Sequence, residues 1–248
     1  MKMQHFLITG GSSGIGLAIA DTLVKDGHTV HLTGRNATAL EQVISRLGKN
    51  ARMYPGDVSS LEDLDQLVKA LGKHTQKLDG LVLNAAQYGF EPLLTLTPSR
   101  LESYFRVNCC SVVWLVQKLL SFLEAGSGKS IVSISSTLAT RPISGTAGYA
   151  ASKAALNSLT QSLAIELAPK RIRCNAVLPG VVDTPIHEPQ NESDLNREEK
   201  MKQLGPMHLM GRVGQATDVA AIVAFLLSDS ASWTTGALYC VDGGISLV

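Results

Sequence analysis

Short apolar runs alternate along this chain with longer stretches in which apolar residues recur every three or four positions. The first run, Phe6-Leu7-Ile8, is followed by Ile15, Ile19 and Leu23. Val30 to Thr33 precedes Leu40, Val43, Ile44 and Leu47, and Arg52 to Tyr54 precedes Leu61, Leu64, Leu67, Val68 and Leu71. Leu81-Val82-Leu83 comes next, then a helical stretch of roughly 25 residues from about Ser99 to Leu123. Ile131 to Ile134 is followed by Leu156, Leu159, Leu163 and Leu167, and Ile172 to Leu178 and Ala237 to Val241 complete the series. Short runs read as strands, and the four-residue spacing reads as helices with one buried face. Their alternation predicts a single α/β domain over residues 1–248, a doubly wound parallel sheet of about seven strands with helices on both faces. Such a sheet binds ligands beyond the carboxyl ends of its strands, where the strand order reverses. One stretch, Pro185 to about Gly205, is polar and breaks the alternation. It is expected to be a mobile loop or a lid over a site.

Composition narrows the class. Apolar residues make up 45% of the 248 and charged residues 17%, which excludes a disordered chain. A net charge of +1 supplies no field for nucleic acid or an anionic membrane, so neither partner is expected. The longest apolar run, Val219 to Leu227, has nine residues, whereas a bilayer span needs about 20. The first apolar run is broken at once by Thr9-Gly10-Gly11, so no signal peptide is expected. Cys109, Cys110, Cys174 and Cys240 form no C-x-x-C or Cys/His pattern, and the six histidines are scattered. Reduced thiols, a cytoplasmic location and no metal site are the expectation.

Three places carry chemistry. Thr9-Gly10-Gly11-Ser12-Ser13-Gly14-Ile15-Gly16 closes the first strand and opens the first helix. Glycines there let backbone approach a pyrophosphate, and the helix N-terminus offers N–H groups and a positive dipole end. Tight strand–helix packing would use the same glycines. The second strand ends in Gly34-Arg35 with no carboxylate. A carboxylate there would bind a ribose 2′-hydroxyl and repel a 2′-phosphate, whereas Arg grips a phosphate. Third, Tyr149 and Lys153 are one helical turn apart, with Ser136 thirteen residues before Tyr149. Residues i and i+4 share a helix face. A nearby ammonium would lower the pKa of a phenol otherwise near 10.

Taken together these motifs resemble the short-chain dehydrogenase/reductase family, over essentially the whole chain. Thr9 to Gly16 matches the family's T-G-x-x-x-G-x-G, Asp57-Val58 its adenine-site acid, and Asn108 its mid-helix Asn. Leu83-Asn84-Ala85-Ala86 matches its N-N-A-G in part, Pro179 to Thr184 its P-G-x-x-x-T, and Val241 to Gly244 its V-D-G-G. The resemblance implies a Rossmann-type fold and hydride exchange between NADP(H) and a carbonyl or secondary alcohol. Tyr149 would exchange the proton, Lys153 would bind the nicotinamide ribose and lower the Tyr149 pKa, and Ser136 would hold the substrate oxygen. Asn108 would hold a relay water, and Thr184 would bind the carboxamide. The implied cofactor contacts are Gly10, Ser12, Ser13, Gly14, Ile15, Gly16, Arg35, Asp57, Val58, Asn84, Tyr149, Lys153, Pro179, Gly180, Val182 and Thr184. The expected substrate is small and mostly apolar, met by Gln87, Tyr88, Leu138, Ile143, Val181, Val182 and Ile186. A 3-oxoacyl-thioester (acyl carrier protein) reductase and a non-catalytic nucleotide-binding regulator are the alternatives. By the same resemblance the chain would form a homo-oligomer, a dimer or tetramer, through the helix carrying Phe105, Val112, Trp114 and Leu115.

Overall fold

A computed structural model describes residues 3–188 and 196–248. Seven parallel strands form one sheet in the order β3-β2-β1-β4-β5-β6-β7. They are β1 (His5–Thr9), β2 (Thr29–Gly34), β3 (Ala51–Pro55), β4 (Gly80–Leu83), β5 (Ser130–Ile134), β6 (Arg173–Pro179) and β7 (Leu238–Val241). Each expected strand is present, and the doubly wound expectation holds. The chain runs outward from β1 to β3, then returns to the other side of β1 with β4. The switch point therefore lies between the ends of β1 and β4.

Period-two alternation in these fully covered strands separates two cores. Phe6, Ile8, Val82 and Val132 face α1 (Gly14–Lys25), α2 (Ala37–Leu47) and α8 (Ala216–Leu227). Leu7, Leu81 and Ile131 face α3 (Leu61–Leu71), α5 (Ser111–Ala125) and α6 (Ala147–Leu167). The apolar run ending at Leu227 belongs to α8, whose Val219, Val223 and Leu226 are completely buried.

Two expectations need correction. The long helix before β5 is not one regular helix. It comprises α4 (Pro98–Phe105), a π-helical turn at Arg106–Cys110 and α5. Thr97 caps its start through a bond from Arg100 N, with Pro98 in the first turn, where a missing N–H costs nothing. By length and composition Pro98–Ala125 could cross a membrane. Here Leu115, Leu119 and Leu123 lie completely or almost completely buried in the second core, as in a core helix of a compact protein. Val112 and Leu115 are likewise buried within the one chain, so they are not available to pair subunits.

The polar stretch 185–205 is not a loop throughout. Its second half is α7 (Arg197–Leu204), capped by the Asn196 side chain, with Met201 buried beneath it. Arg197 ties the helix to what precedes it, through Asp183 at 3.0 Å and Glu188 at 2.7 Å. Positions 189–195 of the expected lid lie outside the described residues.

Candidate active site

A cavity of about 1550 Å³ opens at the carboxyl ends of the strands. This exceeds the roughly 300–1,000 Å³ of a typical small-molecule pocket, leaving room for more than one ligand. Every catalytic or cofactor candidate named from the sequence lines it except Gly16 and Asn108.

The floor is the turn between β1 and α1. Gly10 has φ +64° and Gly14 φ +53°, values that favour glycine. A Cβ on Gly10 would lie 2.9 Å from Asn84 Nδ2. Ser13 is the N-cap of α1, yet its side chain caps nothing and no acidic residue stands in the first turn. The exposed N–H groups of that turn therefore suit an anion. Gly16 is different. A Cβ there would come within 2.2 Å of Gly10 O, so this glycine lets the helix close on the turn and does not face the cavity. Both readings of the glycine run are thus realised, at different members.

Asn84 stitches the switch point together. Its Nδ2 donates to Thr9 O at 2.9 Å and to Gly10 O at 3.0 Å, while the Asn84 and Ala85 amides donate to Thr9 Oγ1. The remaining cofactor candidates surround this floor. Arg35, exposed at the end of β2, has no hydrogen-bond or ion-pair partner among the described residues. Asp57 accepts from the amide and hydroxyl of Ser59, both at 2.8 Å, and Val58 is buried beside it. Gly180 N donates to Val241 O, which brings the V-D-G-G segment against Pro179-Gly180. Thr184 is buried with its side chain against Gly14, and Val182 is buried two residues earlier.

The reacting end is set by α6 and the end of β5. Tyr149 and Lys153 lie on the buried face of α6, with the Lys153 ammonium 5.9 Å from the Tyr149 ring centre. Lys153 Nζ donates to Ile134 O at 2.7 Å, and burial pushes its pKa down to about 8. Burial raises the Tyr149 pKa, and the Ser136 hydroxyl draws it partway back without a hydrogen bond of regular geometry joining the two oxygens. The expected lowering of Tyr149 by Lys153 is therefore not realised in this state. Removing the phenolate's solvation outweighs an ammonium that is itself poorly solvated and engaged elsewhere. At neutral pH Tyr149 is a neutral hydroxyl, able to donate.

Asn108 does not reach the cavity. It sits in the π-helical turn with Nδ2 donating to Gln87 O at 3.0 Å and Ser152 Oγ at 2.8 Å, and Oδ1 accepting from Gln87 N at 2.9 Å. Ser152 Oγ in turn donates to Tyr149 O at 2.7 Å. Asn108 thus ties the segment after β4 to the helix that carries Tyr149 and Lys153, which is a positioning geometry. The π turn itself was not foreseen. A polar Asn in an apolar helix was its one visible signal, and such turns concentrate at functional sites.

The seven expected substrate contacts all line the cavity. Sequence reasoning missed His187, Phe90 and His208, which line it too. Tyr88 presents its ring edge-on to Tyr149 at 5.0 Å and to His187 at 5.8 Å, and burial first of all pushes the His187 pKa down to about 4. Only the fold brings these loops together, so spacing could not reveal them.

Residues 10–246 match the family described as enoyl-(acyl carrier protein) reductase. The chain is 36% identical to an uncharacterized oxidoreductase of Methylorubrum extorquens, over 96% of each chain. It is 34% identical to an L-rhamnose 1-dehydrogenase (NAD(P)(+)) of Sphingomonas sp., covering 99% of this chain and 97% of that one. The ligand-free aldohexose dehydrogenase of Thermoplasma acidophilum superposes with a TM-score of 0.89 at 30% identity, covering 100% of this chain and 95% of that one. The glycine turn at the switch point, the Ser136, Tyr149 and Lys153 cluster and these full-length matches converge: the chain belongs to the short-chain dehydrogenase/reductase family and is a nicotinamide-dependent oxidoreductase acting on an alcohol or carbonyl.

Proposed function

We propose that the protein is an NADPH-dependent reductase of a small, mostly apolar carbonyl compound, with the reverse alcohol oxidation open to the same site. The observation that carries this is the convergence of Ser136, Tyr149 and Lys153 on one cavity with a helix N-terminus and Arg35. The bare first turn of α1 would hold the pyrophosphate, and Arg35 a 2′-phosphate. Asp57 would face the adenine and Thr184 the carboxamide. When bound, the nicotinamide supplies the hydride that reaches the carbonyl carbon.

The chain's own residues complete the reaction. Tyr149 donates its hydroxyl proton to the carbonyl oxygen as charge develops there, and takes it back during alcohol oxidation. Ser136 donates a hydrogen bond to the same oxygen. Lys153, buried and held by Ile134 O, supplies positive charge beneath Tyr149 and reaches the ribose. Asn108 fixes the height of α6 through Ser152 and acts as a positioning residue. The segment 185–205 serves as a lid, supported by Pro185, Ile186, His187, Lys200 and Leu204 all lining the cavity. Homo-oligomer formation is part of the same reading and is checked by light scattering.

Nicotinamide turnover with a panel of ketones tests the reading. Tyr149→Phe removes one oxygen and little volume, and should lower kcat by roughly 10²–10⁴-fold while cofactor binding survives. NADPH should be preferred over NADH, and Arg35→Ala should raise KM for NADPH alone. Equal use of both cofactors by the wild type would overturn the 2′-phosphate assignment.

A further inference from the structure

The outer end of the cavity is built differently from its floor. Phe90, Ile143, Ile186, Met207 and Leu209 line it and yet stand between 42% and 62% exposed. They come from four separate connections, after β4, after β5, after β6 and after α7. Large apolar side chains converging in water at a cavity mouth mark a binding surface.

Phe90 is held in place rather than left loose. The far edge of its ring rests on Gly145, where a Cβ would lie 2.6 Å from it, and Gly145 has φ +79°. The neighbouring Glu91 N donates to Gly145 O at 2.7 Å. The Glu91 carboxylate accepts from Arg100 Nε at 2.7 Å and from the hydroxyl of Tyr104, which is completely buried. Gly89 leaves room for that hydroxyl, since a Cβ would come within 2.1 Å of it. An exposed aromatic fixed by this brace loses little freedom when it meets a ligand. Two residues earlier Tyr88 turns inward onto Tyr149. Tyr88 and Phe90 thus line one cavity, the first against the reacting Tyr149 and the second at an exposed edge.

On the Phe90 side of the rim the polar side chains are engaged, Gln87 with Ser103 and Arg100 with Glu91, whereas His187 Nδ1, on the far side of Tyr88, is buried without a partner among the described residues. A polyhydroxylated arm lying along Phe90 would find no free partners for its hydroxyls there, and an apolar arm needs none.

We propose that this rim is a hydrocarbon subsite: the substrate is a ketone or secondary alcohol whose alkyl or aryl arm runs from Tyr149 past Tyr88 onto Phe90 and Ile143. This rests on the carbonyl-reductase reading above. The test is kcat/KM for 2-alkanones from 2-butanone to 2-decanone, with glucose and rhamnose alongside, in the wild type and in Phe90→Ser and Ile143→Ser. Efficiency should climb with length, up to roughly fourfold per methylene, the equivalent of burying one CH₂ at about 0.8 kcal/mol. The wild-type-to-variant ratio should grow at least tenfold along the series. A flat or falling series, or a preference for the sugars, overturns the subsite while leaving the reductase reading intact. If no carbonyl compound turns over, the reductase reading fails, and the rim is still read by binding of the apolar fluorophore N-phenyl-1-naphthylamine. Its affinity should fall several-fold in both variants. Unchanged affinity overturns the subsite.

Discussion

Lowering the pH from 7.5 to 5.0 should destabilise this protein through a histidine far from the cavity. His31 lies on β2 with no exposed surface, in the core that also holds Leu7, Leu64 and Leu67. Its Nδ1 lies 3.0 Å from Tyr54 Oη and its Nε2 lies 3.1 Å from His5 Nδ1, with the two imidazoles stacked at 5.4 Å. Tyr54 Oη has no other partner among the described residues. A neutral His31 can donate at one ring nitrogen and accept at the other, so a singly protonated ring meets both contacts. A second proton on His31 would make both nitrogens donors and bury a charge. Burial, together with His5, Arg52 and His74, lowers the His31 pKa from 6.5 to about 3, and burial pushes Tyr54 up to about 12. Burial lowers the His5 pKa as well, with Asp79 opposing the shift and Lys77 and Arg52 adding to it. Between pH 6.5 and 3 the unfolded chain binds a proton at His31 that the native state refuses. Stability is complete above pH 6.5 and falls as the pH drops through that window. At pH 5.0 this linkage amounts to about 2 kcal/mol. Urea unfolding at pH 7.5 and 5.0 would measure it, comparing the wild type with His31→Leu/Tyr54→Phe, which leaves no orphaned hydroxyl. The wild type should lose about 2 kcal/mol more than the variant across that interval. Equal losses would refute the reasoning, because the other acid-sensitive groups are common to both proteins.

Gly16→Ala should destabilise the fold by at least about 1–3 kcal/mol, read from the urea midpoint, because its methyl meets Gly10 O and neither backbone can yield. Asn108→Ala should cost about 2 kcal/mol or more by orphaning buried groups of Gln87 and Ser152, and should lower kcat more than it raises KM if α6 shifts. Amide exchange in α7 should slow when NADPH and substrate bind, and exchange that is already slow in the free protein, or insensitive to ligands, would remove the lid.

The alternation of apolar positions was enough to place all seven strands, because a strand buried on both faces needs a continuous apolar run and its covering helix needs a four-residue repeat. The glycine turn and the Tyr149–Lys153 pair were equally legible, since each depends on short-range geometry: positive φ at Gly10 and Gly14, and one helical turn between the two side chains. What those residues do to one another was decided by burial. The sign of the Tyr149 shift followed from solvent removed by α4 and the Tyr88 loop, neither of which is adjacent to it in sequence. Gly16 and Asn108 occupy motif positions, yet packing turned one against Gly10 and the other into a tie between α6 and Gln87. The Phe90 rim and the His5–His31–Tyr54 chain are assembled from separate strands and loops, so no spacing along the chain encodes them. Local pattern dictated which backbone forms where, and long-range contact determined the solvation of each side chain, on which its chemistry depends.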